Sequence, residues 1–342
     1  MMLFRPVCES DLPAVMRLAG RAGVGMTSLP HDEQRLQARI QRSVDTFAGR
    51  LPRSQQGFLF VLEDPETAQV VGISAIEVAV GLNEPFYNFR IQRSVRASRE
   101  LGIYKNLELL TISYDHTGHS ELCTLFLDPE YQKNRNGLLL SKARFLFIAT
   151  FRELFSAHLF AEMRGVLGDD GKSPFWDALG HHFFDIPFVD ADRLTGSGAK
   201  TFIAELMPSY PIYVSLLPED AQAVIGKVHP RTAPARAILE KEGFSYRGSV
   251  DIFDAGPVLE AETDQIRAIR DSRRVALDAN FLLPAVPTLV ANTQFEHFRA
   301  ILVVPDEQGT MPGLDQTQLD ALQVSANDPV RLVTLQPEES AT

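Results

Sequence analysis

The chain has 342 residues, of which 45% are hydrophobic and 23% charged, and this composition excludes a disordered or fibrous protein. The formal net charge is −11, which argues against a nucleic-acid-binding protein, because such a protein would need a basic face. Its two cysteines, Cys8 and Cys123, are too few for a disulfide framework and have no metal-ligand spacing. No apolar signal-peptide core follows Met1, and charged residues break the apolar run 138–151. We therefore expect a cytoplasmic protein with no membrane segment, no nucleic-acid partner and no metal site.

The first 110 residues predict alternating strands and helices. In two segments apolar residues recur at three- and four-residue intervals, which is typical of helices with one buried face. In chain order the predicted elements are a strand at 2–7, a helix capped by Ser10, a helix with an apolar stripe from Leu36 to Phe47, and a hairpin with strands at 58–63 and 70–80. Residues 81–110 are polar with scattered aromatic residues, and no regular structure is predicted for them.

The rest of the chain continues the alternation. Its predicted elements are a strand at 121–127, a helix from 137 to about 155, a strand at 158–163, a helix at 174–179 closed by Gly180, and a helix at 232–244 capped by Thr232. After residue 285 short strand-like pieces, such as 300–304 and 330–335, predict a small β-rich C-terminal subdomain at 286–342. This order, with antiparallel hairpins and one βαβ crossover, indicates an α/β domain at 1–285 in which one layered sheet carries helices on both faces.

The segment 121–140 carries the clearest chemical signal, and it reads ELCTLFLDPEYQKNRNGLLL. A strand leads into a polar loop, and Gly137 opens a helix. Several backbone N–H groups and the positive end of the helix would then face one spot, where a pyrophosphate can bind without any basic side chain. An ordinary strand–loop–helix connection is the alternative, and the loop alone does not decide between the two.

The loop and its surroundings resemble the GNAT superfamily of acyl-CoA N-acyltransferases. These enzymes carry a Gln/Arg-x-x-Gly-x-Gly/Ala loop at this place in the same order of elements, and Gln132, Asn136 and Gly137 fit it. The opening FRPVCESDLPAVMRLA also resembles a GNAT first strand and helix. Arg135 departs from the pattern, because the family usually has glycine there. The resemblance implies a GNAT fold, with a mixed, mostly antiparallel sheet flanked by helices and a CoA-binding core at about 111–185.

Longer segments resemble the arginine N-succinyltransferases in particular. They cover most of residues 1–285 in order and read MTSLP, AIEVAVGLNEPFYN, YDHTGHSELCTLFLDP, AEMRGV, FIAELMP, VIGKVHP, TAPARAILEKEGF and DIFDAGP. The resemblance implies transfer of a succinyl group from succinyl-CoA to the α-amine of L-arginine, the first step of the succinyltransferase route of arginine breakdown. It implies succinyl-CoA as co-substrate, no bound cofactor, and either a homo-oligomer or a heteromer with a paralogous subunit.

The resemblance also assigns roles to single residues. Those expected to bind succinyl-CoA are Leu125, Phe126, Leu127, Gln132, Lys133, Asn134, Arg135, Asn136, Gly137 and Leu138. Leu125 is expected to act through its main chain, where a backbone donor would also stabilise the tetrahedral oxyanion. His229 occupies the family's acid/base position, and histidine is the side chain that titrates nearest neutrality. For a single histidine among the eight, a role as an ordinary surface residue is the alternative.

Five further candidates are weaker: Asp115, His116, Glu121, Glu162 and Arg164. His116 is the rival acid/base residue. Either glutamate would suit the guanidinium of arginine, because a carboxylate matches its planar fork. Arg164 would hold the succinyl carboxylate or neutralise Glu162. The alternatives are a plain turn at Asp115 and ordinary ion-paired carboxylates at the strand ends.

Two other functions stay open from the sequence. The first is a GNAT enzyme with a different acyl donor or amine, such as acetyl-CoA or ornithine. The second is a non-catalytic subunit that binds CoA and adjusts a partner, which the unusual Arg135 keeps open. Substrate profiling distinguishes the first from a succinyltransferase, and CoA binding without turnover would indicate the second.

Overall fold

The computed structural model describes residues 1–23, 25–168, 171–196, 205–207, 209–279, 281–306 and 313–336. The segment FIAELMP lies partly outside the described residues. Within them, no helix is long and apolar enough to cross a membrane.

One sheet of fourteen strands organises the described residues. The strands are β1 (Leu3–Pro6), β2 (Gly57–Asp64), β3 (Gln69–Glu77), β4 (Asn88–Ser98), β5 (Ile103–Ser113), β6 (Ser120–Leu127), β7 (His158–Glu162), β8 (Ile212–Tyr213), β9 (Ser245–Asp251), β10 (Pro257–Glu262), β11 (Arg273–Ala276), β12 (Thr288–Asn292), β13 (Ala300–Val303) and β14 (Pro329–Thr334). Their spatial order is β11-β14-β12-β13-β1-β2-β3-β6-β7-β10-β9-β4-β5-β8. Among the described pairs only β6 and β7 run parallel.

Helices cover both faces of this sheet. They are α1 (Leu12–Ala22), α2 (Glu33–Phe47), α3 (Asn136–Thr150), α4 (His181–Phe184), α5 (Phe188–Gly196), α6 (Glu219–Val224), α7 (Ala233–Lys241), α8 (Arg267–Arg270) and α9 (Gln316–Leu322). The apolar faces of α1 and α2 pack on one face of β2 and β3, where Leu59 and Val61 point. Helix α3 packs on the other face, against Phe58 and Phe60, and its residues from Leu139 to Ile148 are all buried. The period-two alternation of β2 therefore sends successive side chains into two different cores.

The hairpin of β4 and β5 is the largest difference from the sequence prediction, which left 81–110 without regular structure. The two strands pair antiparallel from Asn88 opposite Ser113 to Ser98 opposite Ile103. Apolar and polar residues alternate along β4 except at Arg93, a strand pattern that the sequence interpretation missed, and most residues beyond Ile91 are exposed.

The predicted N-cap at Ser10 is wrong. Ser10 lies inside a 3-10 turn at Glu9–Asp11, and α1 begins only at Leu12. The Asp11 carboxylate, which is buried, binds the Arg5 guanidinium at 2.8 Å and fixes this turn ahead of the helix. An ion pair between residues six positions apart therefore sets the start of the helix, and the preference for serine as a cap did not reveal it.

Two predicted helix boundaries also differ. Helix α3 ends at Thr150, several residues earlier than predicted, and a separate 3-10 turn at Arg152–Leu154 follows it. The predicted helix at 174–179 contains a π-helical turn at Trp176–Gly180. A Cβ atom on Gly180 would lie 2.4 Å from the Trp176 ring, so the bulky indole requires a glycine at this position.

The strands predicted after residue 285 are present and extend the main sheet. Strand β13 pairs antiparallel with β1, with Leu3 opposite Ile301. Strand β14 pairs with β12 and also with β11, which lies before residue 285 in the sequence. The division of the chain at residue 285 stays a prediction.

Candidate active site

An opening between β6 and β7 is the main irregularity of the sheet. The parallel pairing joins Ser120 to Leu159 and Glu121 to Phe160. Beyond Glu121, the described part of the chain gives β6 a partner only on its β3 side. One edge of the main chain at 122–127 is therefore available to hydrogen-bond a ligand, because its N–H and C=O groups are not used in a ladder on that side.

A β-bulge lies in β6 beside this opening. Thr124 has a φ of 55°, in the left-handed region that a β-branched residue rarely adopts. Two residues, Thr124 and Leu125, lie opposite the single residue Ser74 of β3. The register on either side of the bulge pairs Cys123 with Ala75 and Phe126 with Ile73. The bulge thus changes which main-chain groups of Leu125 and its neighbours face the opening.

The loop between β6 and α3 has two consecutive left-handed residues, Asn134 with φ 52° and Arg135 with φ 63°. This conformation explains the glycine that the GNAT pattern usually has at position 135, because glycine adopts positive φ without strain. Arg135 takes the same backbone conformation, and its side chain is exposed. Its departure from the pattern therefore leaves the loop geometry intact.

Hydrogen bonds hold this loop to the strand before it. The Asn136 side chain, which is buried, donates to the Tyr131 carbonyl at 3.0 Å, and Gln132 donates to the Leu127 carbonyl at 3.2 Å. A Cβ atom on Gly137 would meet only Leu127 Cδ2 at 3.8 Å, an ordinary contact. The start of α3 is thus open at Gly137, and its helix dipole favours an anion there.

The residues of β7 beside the opening alternate between the two faces of the sheet. Leu159 and Ala161 pack toward α3, so Phe160 and Glu162, which alternate with them, lie on the opposite face of the sheet. Glu121 lies on that same face, because it pairs with Phe160. The predicted carboxylates Glu121 and Glu162 therefore flank the opening on the face that carries α1 and α2.

Asn88 connects Glu162 to His116. Its amide nitrogen donates to Glu162 Oε1 at 2.7 Å, and its oxygen lies 2.7 Å from His116 Nδ1. Because a carboxylate only accepts, the amide oxygen must face the imidazole, and Nδ1 must carry a proton. His116 is 2% exposed, and its Nε2 lies 3.6 Å from Glu260 Oε1, an ion-pair rather than a hydrogen-bond distance. His116 lowers the pKa of Glu260.

His229 lies beside Arg164, in a loop that runs along the residues following β7. Its backbone N–H donates to the Arg164 carbonyl at 2.9 Å, and Gly165 bridges to Val228. His229 Nδ1 accepts the Arg231 backbone N–H at 3.1 Å, so in the neutral ring the proton is on Nε2. Burial lowers the pKa of His229, and the charges of Arg164 and Arg231 lower it further. This side-chain contact caps the turn ahead of α7, whereas Thr232 occupies the predicted N-cap position of α7 without a capping hydrogen bond from its side chain.

Asp254 fixes the backbone behind this histidine, a role that the sequence interpretation missed. Its carboxylate accepts the Gly165 N–H at 2.6 Å and the Gly256 N–H at 2.8 Å. Burial raises its pKa, and the neighbouring Asp251 raises it further. The only sequence signal was its place in the segment DIFDAGP. By contrast, Asp115 lies in an exposed turn, as its alternative interpretation predicted.

Comparison with known proteins identifies the family. The profile described as arginine N-succinyltransferase beta subunit matches residues 2–268, and that of its C-terminal domain matches residues 284–334. A Photorhabdus laumondii protein called arginine N-succinyltransferase is 61% identical over 345 residues, covering 99% of this chain and 100% of that protein. A Salmonella newport protein of the same name is 56% identical over 341 residues, covering 99% of each.

A solved structure confirms the predicted fold class. Arginine/ornithine succinyltransferase subunit AI from Pseudomonas aeruginosa matches with a TM-score of 0.88 and 38% identity, covering 98% of this chain and 99% of that one. The mixed, mostly antiparallel sheet with helices on both faces is therefore an established fold for such a sequence. The chain belongs to the arginine N-succinyltransferase family.

Proposed function

We propose that this chain is an acyltransferase that moves a succinyl group from succinyl-CoA to the α-amine of L-arginine. The observation that carries the proposal is the opening between β6 and β7. On one side of it lie a bulged strand and a helix start suited to a CoA thioester, and on the other lies a loop with His229. Full-length relatives called arginine N-succinyltransferase support the choice of substrates.

The acyl donor would bind along the β6 side. The pyrophosphate would lie at the loop 132–138, where backbone N–H groups and the start of α3 favour an anion. The pantetheine arm and thioester would follow the main chain of Leu125, Phe126 and Leu127, as a short extra strand on the open edge of β6. A backbone N–H at the bulge would then donate to the thioester oxygen as it becomes an oxyanion.

His229 would exchange the proton of the reaction. The attacking nitrogen loses one proton, the departing sulfur gains one, and the C–S bond breaks as the C–N bond forms. His229 Nδ1 is occupied by the Arg231 N–H, so Nε2 is the ring atom that would contact the substrates. A neutral imidazole cannot give up its Nε2 proton without forming an imidazolate, so proton transfer would need the tautomer with the proton on Nδ1, which gives up the Arg231 contact. In that tautomer Nε2 would take the proton from the attacking nitrogen and pass it to the departing sulfur.

The acceptor would bind on the face that carries Glu121 and Glu162. Asn88 holds the Glu162 carboxylate in one orientation, and an oriented carboxylate suits a planar guanidinium. Arg164, adjacent to the His229 loop, would pair with the succinyl carboxylate. A site built around two such charges discriminates strongly against ligands that lack them.

A thiol-release assay tests the proposal directly. The purified chain is given succinyl-CoA or acetyl-CoA with a panel of amino acids, and the acylated product is identified by mass. We expect a clear preference for succinyl-CoA and for L-arginine. Equal rates with acetyl-CoA, or no preference for basic amino acids, would leave only a general acyltransferase. CoA binding without turnover, restored by a second chain, would indicate a non-catalytic subunit.

Ornithine is a second acceptor, because the Pseudomonas aeruginosa protein is described as an arginine/ornithine succinyltransferase. Its amine would meet the same carboxylates with a single point charge instead of a fork, so we expect it to bind more weakly. A homo-oligomer or a heteromer with a paralogous subunit, and location in the cytoplasm, remain predictions that light scattering and cell fractionation would test.

A further inference from the structure

Arg144 is a buried cation that the proposed reaction does not use. It lies on α3 and is 1% exposed. Its guanidinium donates to the Ala75 carbonyl at 3.3 Å and to the Cys123 carbonyl at 3.4 Å, the two residues that end the regular ladder before the bulge. Its remaining bonds go to Ser141, one turn earlier on the same helix. The side chain therefore joins α3 to the bulge between β3 and β6.

No carboxylate compensates this charge among the described residues. The Cys123 thiol acts on its charge, but burial raises the pKa of that thiol to about 12, so it is neutral at physiological pH. Burial lowers the pKa of Arg144 to about 10, which still leaves the guanidinium charged near neutrality. Burying a cation without an anion opposes folding, and a hydrophobic residue of similar size would avoid that cost. Stability alone therefore does not explain this arginine.

Arg39 holds the same bulge from the other face of the sheet. It lies on α2 and donates to the Thr124 hydroxyl at 2.7 Å. It also binds the Ser28 carbonyl and lies 3.5 Å from Glu77, which ties the bulge to the segment between α1 and α2. Thr124 has the unfavourable positive φ, and such a conformation persists only where its surroundings fix it. The two arginines supply that constraint from opposite faces.

We propose that Arg144, with Arg39 opposite it, is a positioning residue that fixes the bulge so that the main chain of Leu125 is aimed at the thioester carbonyl. Two effects follow. The hydrogen bonds to Ala75 and Cys123 set the direction of the next peptide group, and the uncompensated positive charge strengthens the field at a developing oxyanion. The inference rests on the proposed acyl-CoA site in β6.

Substitution of Arg144 tests the inference, and Lys142 on the same helix is the matched control. Lys142 is also buried, but it binds Glu242 at 2.7 Å and faces away from the bulge. We expect R144M to lower kcat about 100-fold, because a misplacement of about 1 Å at a reacting group has an effect of that size. The KM for the amine should stay near the parental value. K142M should keep the parental kcat, although both variants lose stability.

A conservative variant separates positioning from packing. R144K retains the charge and can reach one of the two carbonyls, so we expect it to recover part of the lost kcat. R39M, which changes a less buried side chain, should lower kcat about tenfold, since it removes one of the two constraints. Thermal unfolding of each variant shows whether it is folded. If R144M does not fold, R144K and R39M decide the question.

The inference is overturned if folded R144M, or both R144K and R39M, turn over at the parental rate. It is also overturned if R144M and K142M lower kcat equally, since the effect would then be general packing. The parent protein is assayed first with succinyl-CoA and acetyl-CoA. A parent that uses only acetyl-CoA contradicts the proposed substrate, but the same variants then test the bulge with that donor. The two failures are thus distinguishable.

Discussion

Lys142 and Arg144 lie two residues apart on α3, both buried, in two differently built regions. Around Lys142 a carboxylate is at hand: Glu242, fully buried, accepts from Lys142 at 2.7 Å, from Arg267 at 2.8 Å and from the Ala268 N–H at 2.8 Å. We call this cluster the Glu242 junction. Around Arg144 only carbonyl and hydroxyl oxygens accept, and the strand beside it is irregular.

This difference distinguishes a region that stabilises the fold from a region suited to catalysis. The Glu242 junction joins α3 to the end of α7 and to α8, and both cations there pair with the same carboxylate. Such an arrangement fixes the packing of the helices. The opening between β6 and β7 instead has an unused strand edge and an unbalanced charge, which are features that a substrate can complete. Substitutions at the Glu242 junction should therefore lower stability and leave kcat unchanged. Substitutions at the opening should lower turnover or substrate binding more than stability.

The largest expected effect is at His229. His229→Ala should lower turnover by about 10²–10⁴-fold, because a positioned proton-transfer group contributes that much, while CoA affinity changes little and the lost turn cap costs about 0.5–2 kcal/mol of stability. Steady-state kinetics and CoA titration measure the two. His116→Ala should lose less turnover but more stability, since it leaves the buried amide oxygen of Asn88 without its His116 partner. A nearly normal His229→Ala beside an inactive, folded His116→Ala would transfer the role to His116.

At the Glu242 junction we expect a loss of stability without a loss of kcat. Glu242→Gln leaves two buried cations without a counter-charge, so it should lower the free energy of unfolding by about 3–5 kcal/mol while the folded fraction keeps its kcat. Denaturant unfolding measures the loss. Asp264→Asn is the control, because its pair with Arg152 is exposed and should be worth less than about 1 kcal/mol. A Glu242→Gln protein of parental stability, or one with a selective loss of kcat, would contradict the contrast.

Glu162 tests the acceptor side of the opening. Glu162→Gln removes the charge but keeps the shape, so the KM for arginine should rise about 10–100-fold, in line with about 1.5–3 kcal/mol for a hydrogen bond to a charged group. The KM for succinyl-CoA should not change. Asp115→Asn, in the exposed turn, serves as the control and should leave both constants unchanged. An unchanged KM for arginine in a folded Glu162→Gln enzyme would exclude this carboxylate from acceptor binding.

Gly137 tests the helix start. Gly137→Val should weaken CoA binding at least about tenfold, or about 1.4 kcal/mol, because its branched side chain occupies the place proposed for the pyrophosphate. Gly137→Ala is the control: its Cβ meets only Leu127 at 3.8 Å, so the fold accepts it. Isothermal titration with CoA measures both. Parental affinity in the valine variant would show that the phosphates bind elsewhere.

The smallest expected effect is a shift in pH dependence. The pKa of His229 lies below its ordinary value of 6.5, so the neutral ring, and with it the activity, should persist as the pH falls through 6.5 and decline only at lower pH. Arg231→Gln removes one charge that lowers this pKa and keeps the backbone N–H that Nδ1 accepts. The acid limb of kcat/KM should then move upward by less than about one pH unit. A downward shift would contradict the assignment.

The helices and strands with a clear pattern of apolar residues were predictable from the sequence. Features that depend on contacts with other elements were not. Helices α1 and α2 carry clear apolar periods, and β2 and β3 are apolar runs joined by a turn, so their positions follow from the sequence. The hairpin of β4 and β5 was missed because most of β4 is exposed, although apolar and polar residues alternate along β4 except at Arg93. The start of α1 depends on the pairing of Asp11 with Arg5, six residues earlier, which the preference for serine as a cap did not reveal.

The same limit applies to the candidate site. The loop 132–138 was predictable because its spacing is a local motif that presents backbone groups. Asn88, Arg144 and Glu260 were missed because each acts across the sheet on residues far along the chain. In the sequence Arg144 lies in an apolar helix, where an arginine would ordinarily be read as the solvent-facing position. Only the register of β3 and β6 shows that its guanidinium binds the two carbonyls beside the bulge.

The pairing of β1 with β13 has a consequence for how the chain folds during its synthesis on the ribosome. Strand β1 lies inside the finished sheet, between β2 and β13, yet β2 is the next strand to be made and β13 follows only after β3 to β12. Until Ala300–Val303 emerges, one edge of β1 has no partner, and an unpaired strand edge invites association with other chains. This edge of β1 is therefore paired only after β13 has been made, and the nascent chain depends until then on whatever covers the edge.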